Sequence, residues 1–357
     1  MDLTRRALLQ HLSAAGAACA LGAPRLAFPA VAAQTAGHER DWQWLVGNWD
    51  VQHERLRERL VGSTTWDKFG GKCSSFLTLG GLGNIDDCLL YLPSGTYRAV
   101  APRSFDPATG KWNIWWLDGR MAGKLDPPVR GGFSGTEGEF RGDDVHKGTP
   151  VTVRFRWHET SSKRPWWDQS FSTDAGKSWE TNWRNYFTRT QAEPTPVPLD
   201  PGEKLDAAAA DWAFLVGRWQ VRNRRRKPDG TWETFASRLH NRSTMGGLGN
   251  VGDNLFEAPA GSYHGLSMRS YDPTSKLWRS WWLDGRTPQD IAPSLSGSFA
   301  NGVGTLTGED VVNGKKVQVR SLWSEITPKS VRWEQATSTD GKTWDPNWIA
   351  ELERASA

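Results

Sequence analysis

The chain is poor in the residues that build metal and redox sites. Its 357 residues hold three cysteines, four methionines and seven histidines. No Cys-x-x-Cys or His-x-His spacing occurs, so the common zinc-ligand patterns are missing. A nucleophile elbow, a dinucleotide fingerprint and a Ser-His-Asp constellation are missing too. The chain is therefore not obviously an enzyme of any common class, and no cofactor or metal is implied. Long apolar runs are also lacking: the run from Leu12 to about Leu21 is too short to span a bilayer. Neither sign of charge dominates, with 44 Lys and Arg against 40 Asp and Glu. Of the formal net charge of +4, the first 32 residues carry Arg5, Arg6 and Arg25 against Asp2. The one basic cluster, Arg222, Arg224, Arg225, Arg226 and Lys227, reads as a solvated strand face. No nucleic-acid partner is expected.

Tryptophan and glycine are abundant, with 22 Trp and 37 Gly against 5 Tyr. Together they favour twisted sheets with tight turns, and tryptophan also suits ring-shaped ligands. The chain is moreover written twice. Gly80-Gly81-Leu82-Gly83-Asn84 returns as Gly246-Gly247-Leu248-Gly249-Asn250, and Trp115–Arg120 returns as Trp281–Arg286. The offset is 166 residues, which also relates Arg103 to Arg269, Asp106 to Asp272 and Gln169 to Gln335. This is a duplicated domain, with a period too long for a solenoid unit. No histidine is duplicated: His158 is matched by Ser324 and His264 by Arg98. A metal or haem site common to both repeats is therefore not expected, while a single site through His53 or His158 stays open. Gly-Gly-Leu-Gly-Asn lacks the Lys-Ser/Thr of a phosphate loop and reads as a turn or bulge.

The start of the chain reads as an export address. Arg5-Arg6 precedes an alanine-rich apolar run, and Ala30-Val31-Ala32 supplies small residues for cleavage. The segment resembles a twin-arginine signal peptide over residues 1–33, cut near Ala32. Gly16-Ala17-Ala18 before Cys19 lacks the leucine of lipoprotein signals. Removal is expected, with no membrane anchor and a periplasmic or secreted mature chain. Cys73 and Cys88 remain, both in the first repeat, and a bridge between them is plausible in an oxidising compartment. Pro194, Pro196, Pro198 and Pro201 make residues 191–209 a stiff, extended linker.

Within each repeat apolar and polar residues alternate in short runs, as in Val151–Trp157 and Val317–Arg320. Turn signals punctuate them, and helical hints are confined to Asp206–Phe214 and the residues before Gly47. An all-β sandwich or barrel follows. Each repeat opens on Gly47-Asn48-Trp49 or Gly217-Arg218-Trp219. Each closes on Ser172–Trp179 or Ser338–Trp344 and a strand ending in Arg189 or Arg354. Together with the Trp-rich centre, these residues resemble a bacterial lipocalin-like domain family of unknown function in the calycin superfamily. The resemblance covers nearly all of both repeats. It implies two tandem antiparallel barrels with interior cavities, over residues 40–190 and 210–357. It also implies that Trp49 packs on Arg189 and Trp219 on Arg354, as structural pairs. The Ser-x-Asp turn resembles a sialidase Asp-box, but one per repeat does not make a propeller.

The central strand carries the candidate chemistry. Trp112, Ile114, Trp116 and Asp118 share one face; Trp278, Ser280, Trp282 and Asp284 repeat it, with Arg120 and Arg286 two residues on. Two tryptophans and an Asp-x-Arg pair could hold the body and polar head of a ligand. Gln169 and Gln335 on late strands join this ligand-binding set. Arg103 and Arg269 are expected to tie turns with Asp106 and Asp272. The leading reading is an exported protein that binds a small hydrophobic or aromatic molecule in Trp-lined cavities. One alternative is a cofactor-independent isomerase, cyclase, hydratase or lyase, with Asp118, Asp284, Glu159 or Glu325 as proton donor. The other is a partner-binding module with filled barrels.

Overall fold

The computed structural model describes residues 37–312 and 314–356. The twin-arginine segment, Cys19 and the cleavage region lie outside the described residues.

The first repeat contributes β1 (Gly47–Leu56), β2 (Trp66–Thr78), β3 (Gly83–Leu92), β4 (Gly95–Asp106), β5 (Lys111–Ile114) and β6 (Leu117–Asp118). It continues with β7 (Val129–Ser134), β8 (Glu137–His146), β9 (Thr149–His158), β10 (Trp166–Ser172) and β11 (Glu180–Gln191). All pairings are antiparallel, β1 pairs with β11, and the β3–β4 pairing closes the barrel. β5 and β6 are one strand interrupted at Trp115-Trp116. The second repeat repeats the plan without that break. Its strands are β12 (Gly217–Arg226), β13 (Trp232–Thr244), β14 (Gly249–Ala258), β15 (Gly261–Asp272), β16 (Leu277–Asp284), β17 (Leu295–Ala300), β18 (Val303–Val312), β19 (Lys315–Ser324), β20 (Ser330–Ser338) and β21 (Asp345–Arg354). These form a second closed antiparallel barrel in sequence order. The helical hints become single 3-10 turns, Gln43–Leu45 and Ala213–Leu215 among them.

One end of each barrel is plugged by tryptophan. Trp42 is fully buried and meets Trp112, Phe133 and Trp157 edge-on, with centroids 6.2, 5.0 and 5.4 Å away. Trp212 does the same with Trp278, Phe299 and Trp323 at 6.0, 5.0 and 5.2 Å. Glycine makes the fit possible: a Cβ at Gly138 or Gly304 would come within 2.7 Å of Phe133 or Phe299. The strand-one tryptophans complete the plug. Arg189 lies 4.1 Å over the Trp49 ring and Arg354 lies 4.3 Å over Trp219. Each arginine also donates to the carbonyls of the preceding 3-10 turn, Trp44 and Val46 or Phe214 and Val216. The guanidinium thus caps the turn and covers the ring at once.

The barrels pack against each other through the faces of β3, β4 and β14–β16. Phe76, Leu79, Ile85, Val100, Trp115 and Leu117 form one buried cluster with Met245, Val251, Leu266, Met268, Trp281 and Leu283. Each fully buried aliphatic side chain here contributes about 1.5–3 kcal/mol. The Gly-rich segments are indeed turns, and they lie in this interface. Gly80 and Gly246 take φ of 66° and 68°, and a Cβ there would strike His264 or Leu199 and Arg98. The turn amides are capped across the interface: Leu79 N–H donates to Asp253 at 3.1 Å, and Met245 N–H to Asp87 at 2.9 Å. Ser104 and Ser270 likewise donate to the Pro288 and Ala122 carbonyls of the opposite barrel.

The linker is extended, but it is docked rather than a free spacer. Arg98 binds Glu203 with two bonds of 2.8 Å and also donates to the Pro198 carbonyl. Tyr91 donates to Asp200, and Asn48 holds Thr195.

Burial in the interface pushes the Asp87 carboxyl up to about 7. Between an unfolded value near 3.8 and that folded value, the unfolded chain releases a proton that the folded chain keeps. Asp87 therefore makes stability fall as pH rises from about 4 to about 7. Asp87→Asn keeps an acceptor for Met245 and removes this fall. Urea midpoints of wild type and variant at pH 4.5 and 8 check it: the variant gains on wild type at the higher pH.

Candidate functional site

β-strand alternation sends Trp112, Ile114, Trp116 and Asp118 into the first barrel and Trp115 and Leu117 into the interface. The second barrel divides Trp278, Ser280, Trp282 and Asp284 from Trp281 and Leu283 in the same way. Beyond the plugged end each barrel keeps a cavity, of about 520 Å³ in the first and about 240 Å³ in the second.

Trp116, Asp118, Arg120 and Gln169 line the first cavity; Trp282, Asp284, Arg286 and Gln335 line the second. Trp112 and Trp278 do not. Both face inward but sit in the plug, with their indole N–H groups bonded to the His38 carbonyl and the Asp211 carboxylate. Glu159 and Glu325 also fall outside the cavities. Each is an exposed turn residue with positive φ, 53° and 51°, just after its strand has ended. Neither is placed to protonate a ligand held inside a barrel.

The Asp-x-Arg pairs lie at the cavity mouths. Asp118 accepts from Arg120 Nε at 2.9 Å, Nη2 at 2.5 Å and the backbone N–H at 2.9 Å. Asp284 and Arg286 repeat this geometry. Each arginine lies over a tyrosine ring, with Cζ 3.7 Å from the Tyr97 centroid and 3.9 Å from that of Tyr263. Both carboxylate oxygens are thus occupied by the neighbouring guanidinium. Gln169 and Gln335 are similarly engaged, donating to Asn182 and Asn347.

Of the two histidines left open as a single-copy site, His53 lines the first cavity, and Arg55, Arg59 and Asp126 line it without having been singled out from sequence. His53 is buried with Nδ1 2.6 Å from the Asn185 amide oxygen and its ring stacked 4.8 Å from Phe69. Burial lowers its pKa to about 4, so the imidazole is neutral near pH 7. Its second-barrel counterpart is Asn223, bonded to Ser237 and Trp348. Arg55 lies 4.6 Å over Trp183 and Arg59 5.5 Å over Phe171, both without an ion pair among the described residues. Desolvation lowers both, Arg59 to about 9. Arg225, the counterpart of Arg55, is instead bound by Glu233 at 2.6 and 2.9 Å. The basic cluster is therefore only partly a solvated face: Arg222 and Arg224 point out, and Arg225 points in. Asp126 at the first mouth is raised to about 6 by burial and then by Asp144.

Arg103 and Arg269 do not tie turns with Asp106 and Asp272, which close those turns through Ala108 and Thr109 or Thr274 and Ser275. They lie inside, between plug and cavity. Arg103 sits 4.1 Å over Trp42 and donates to Asn84 and Asp86 at 2.5 Å. Arg269 sits 4.3 Å over Trp212 and 4.9 Å over Trp323 and donates to Asn250 at 2.8 Å.

Cys73 and Cys88 are cross-strand partners with sulfurs 2.9 Å apart, both as free thiols. With Asp86 they bring three possible metal-ligand atoms within 4.8 Å. Asp86 already neutralises Arg103, and the second copy has Leu239, Gly252 and Asn254 at these positions. The Ser-x-Asp elements are hairpin turns: Ser172 accepts from Gly176 N–H and Asp174 from Ser178 N–H.

No protein-family model matches the chain, and no curated protein matches it. Among solved structures it is similar to a protein of unknown function from the DUF3598 family of Nostoc punctiforme, at 12% identity and a TM-score of 0.28, over 89% of this chain and 99% of that one. A transferrin binding protein B mutant from Haemophilus parasuis follows at 8% identity and 0.17, over 86% and 74%. A putative AttH from Nitrosomonas europaea matches at 13% and 0.13, over 86% and 92%. Scores this low decide neither fold nor function.

The plug and the cavity wall separate by mutation. Trp112→Ala should cost about 3–5 kcal/mol of stability, the range for emptying a buried aromatic site. Trp116→Ala, at a partly exposed cavity wall, should cost clearly less, with both read from urea unfolding of the full mature chain.

Proposed function

We propose that the chain is an exported binding protein for a small, partly apolar ligand, held chiefly in the first barrel. One observation carries this reading: a cavity of about 520 Å³ opens on one side of a plugged barrel and is walled by Trp116, Trp167, Trp183 and Phe171. That volume suits a small organic molecule, and the wall combines aromatic rings with charged and polar groups such as His53, Arg55, Arg59 and Gln169. The mouth offers Arg55, Arg59 and the Asp118–Arg120 pair to a polar end of the ligand. The Trp49–Arg189 and Trp219–Arg354 pairs support the lipocalin-like resemblance and, with it, a carrier. The twin-arginine-like start supports a periplasmic or secreted location.

The proton-transfer alternative finds less support. Asp118 and Asp284 are bound by their own arginines, and Glu159 and Glu325 lie outside the cavities.

Titration of the mature chain with N-phenyl-1-naphthylamine, a neutral aromatic probe, tests the reading. Fluorescence should rise on binding, and Trp116→Leu should weaken affinity about twofold to tenfold, since one aromatic contact is worth about 0.5–1.5 kcal/mol beyond its area. Near-ultraviolet circular dichroism confirms that the variant is folded. Equal affinity in wild type and folded variant would remove the first cavity as the site.

A further inference from the structure

The two barrels differ in how they treat one buried arginine. Arg103 and Arg269 occupy the same place, on the cavity side of the tryptophan plug, 3% and 6% exposed. Burying a guanidinium is costly unless a counter-charge goes with it. The first barrel supplies one: Asp86 lies 2.5 Å from Arg103. At the matching position the second barrel has Gly252, and among the described residues no carboxylate lies within ion-pair distance of Arg269. Among the described residues its side chain makes one hydrogen bond, to the Asn250 amide oxygen, and it lines the second cavity. The aromatic faces do not explain the difference, because both arginines rest on plug tryptophans.

The surrounding wall has changed in step. Ser267, Ser280 and Ser321 line the second cavity where Ala101, Ile114 and Phe155 line the first. Ser280 is the direct cross-strand partner of Arg269, and Ser267 precedes it by two on the same strand face. The cavity of about 240 Å³ thus gains hydroxyls beside an unpaired guanidinium within an otherwise largely aromatic wall. The ring of Trp282 lies over Gly265, where a Cβ would sit 2.3 Å from it, and Trp333 and Trp348 close the same space. Burial alone lowers Arg269 to about 9, with no charged neighbour acting on it.

We propose that the second cavity is a separate site for a small organic carboxylate, whose anionic group pairs with Arg269 in the role that Asp86 plays for Arg103. A planar guanidinium matches a carboxylate through two parallel N–H···O bonds, and Ser280, whose hydroxyl has no partner among the described residues, stands across the strand pair from Arg269 to donate to the same oxygens. The aromatic wall takes the small apolar body.

The test uses the full mature chain with benzoate and benzamide, of equal shape but different charge, in low-chloride buffer. Thermal unfolding and calorimetric titration should show binding and stabilisation by benzoate and little by benzamide. Arg269→Gln should weaken benzoate at least tenfold. Gly252→Asp with Ser267→Ala, which installs the first barrel's residues, should also weaken benzoate at least tenfold while raising the melting temperature without ligand. In an Arg55→Gln, Arg59→Gln background, which removes any benzoate held at the first barrel's mouth, wild-type second-barrel residues should still bind benzoate and Arg269→Gln should still weaken it at least tenfold. The proposal is overturned if benzamide or chloride stabilises as well as benzoate, if wild type does not bind benzoate, or if benzoate binding survives in both second-barrel variants. None of these outcomes touches N-phenyl-1-naphthylamine binding in the first barrel, so the two sites stand or fall separately.

Discussion

Each barrel depends on filling one of its ends with tryptophan. A closed sheet of ten strands encloses more space than strand side chains alone can fill. Trp42 and Trp212, delivered by the 3-10 turn before the first strand, supply the missing volume. A fully buried tryptophan removes roughly 150–250 Å² from water, or about 4–6 kcal/mol as an upper bound. Once that end is solid, the remaining space lies at the other end. The positions of the arginine resting on the plug, the cavity beyond it and the mouth pairs then follow from the alternation of the strands.

Much of this architecture could be read from the residues. The repeat offset, the alternating runs and the turn signals lead to two antiparallel barrels, and parity correctly sends Trp116 and Asp118 inward and Trp115 to the other side. Parity alone cannot say how deep an inward residue lies. Trp112 shares a face with Trp116, yet four positions along a strand separate a plug from a cavity wall. Glu159 and Glu325 were misplaced for a related reason: each strand ends one residue earlier, and the left-handed turn that follows carries the side chain out. The pairing of Arg103 with Asp86 instead of Asp106 is a cross-strand contact, set by the β3–β4 register. The interface was hidden because the strands that form it are buried on both faces, and a doubly buried strand looks the same whether its outer face meets a helix, a sheet or another barrel.

Comparison between the copies separates what the fold requires from what it permits. The plug, the strand-one tryptophan with its arginine, and the Asp-x-Arg mouth are present twice. The linings between them are not: His53 faces Asn223, Cys88 faces Asn254, and Asp86 faces Gly252. Arg55 is unpaired where Arg225 is held by Glu233. The shared features close each barrel and the differences lie among the side chains that line the cavities, so the wall can change polarity without disturbing closure.

The reciprocal contacts across the interface have a further meaning. Each barrel caps the other's Gly-rich turn with the same aspartate, and each offers the same serine to the other's loop carbonyl. That is the self-complementary contact of a twofold homodimer, here made within one polypeptide. Two identical subunits would be bound to carry identical interiors, since any substitution would appear on both sides at once. Joining the halves lifts that restriction: the symmetric surface keeps the pair together independently of concentration, and each interior can evolve by itself.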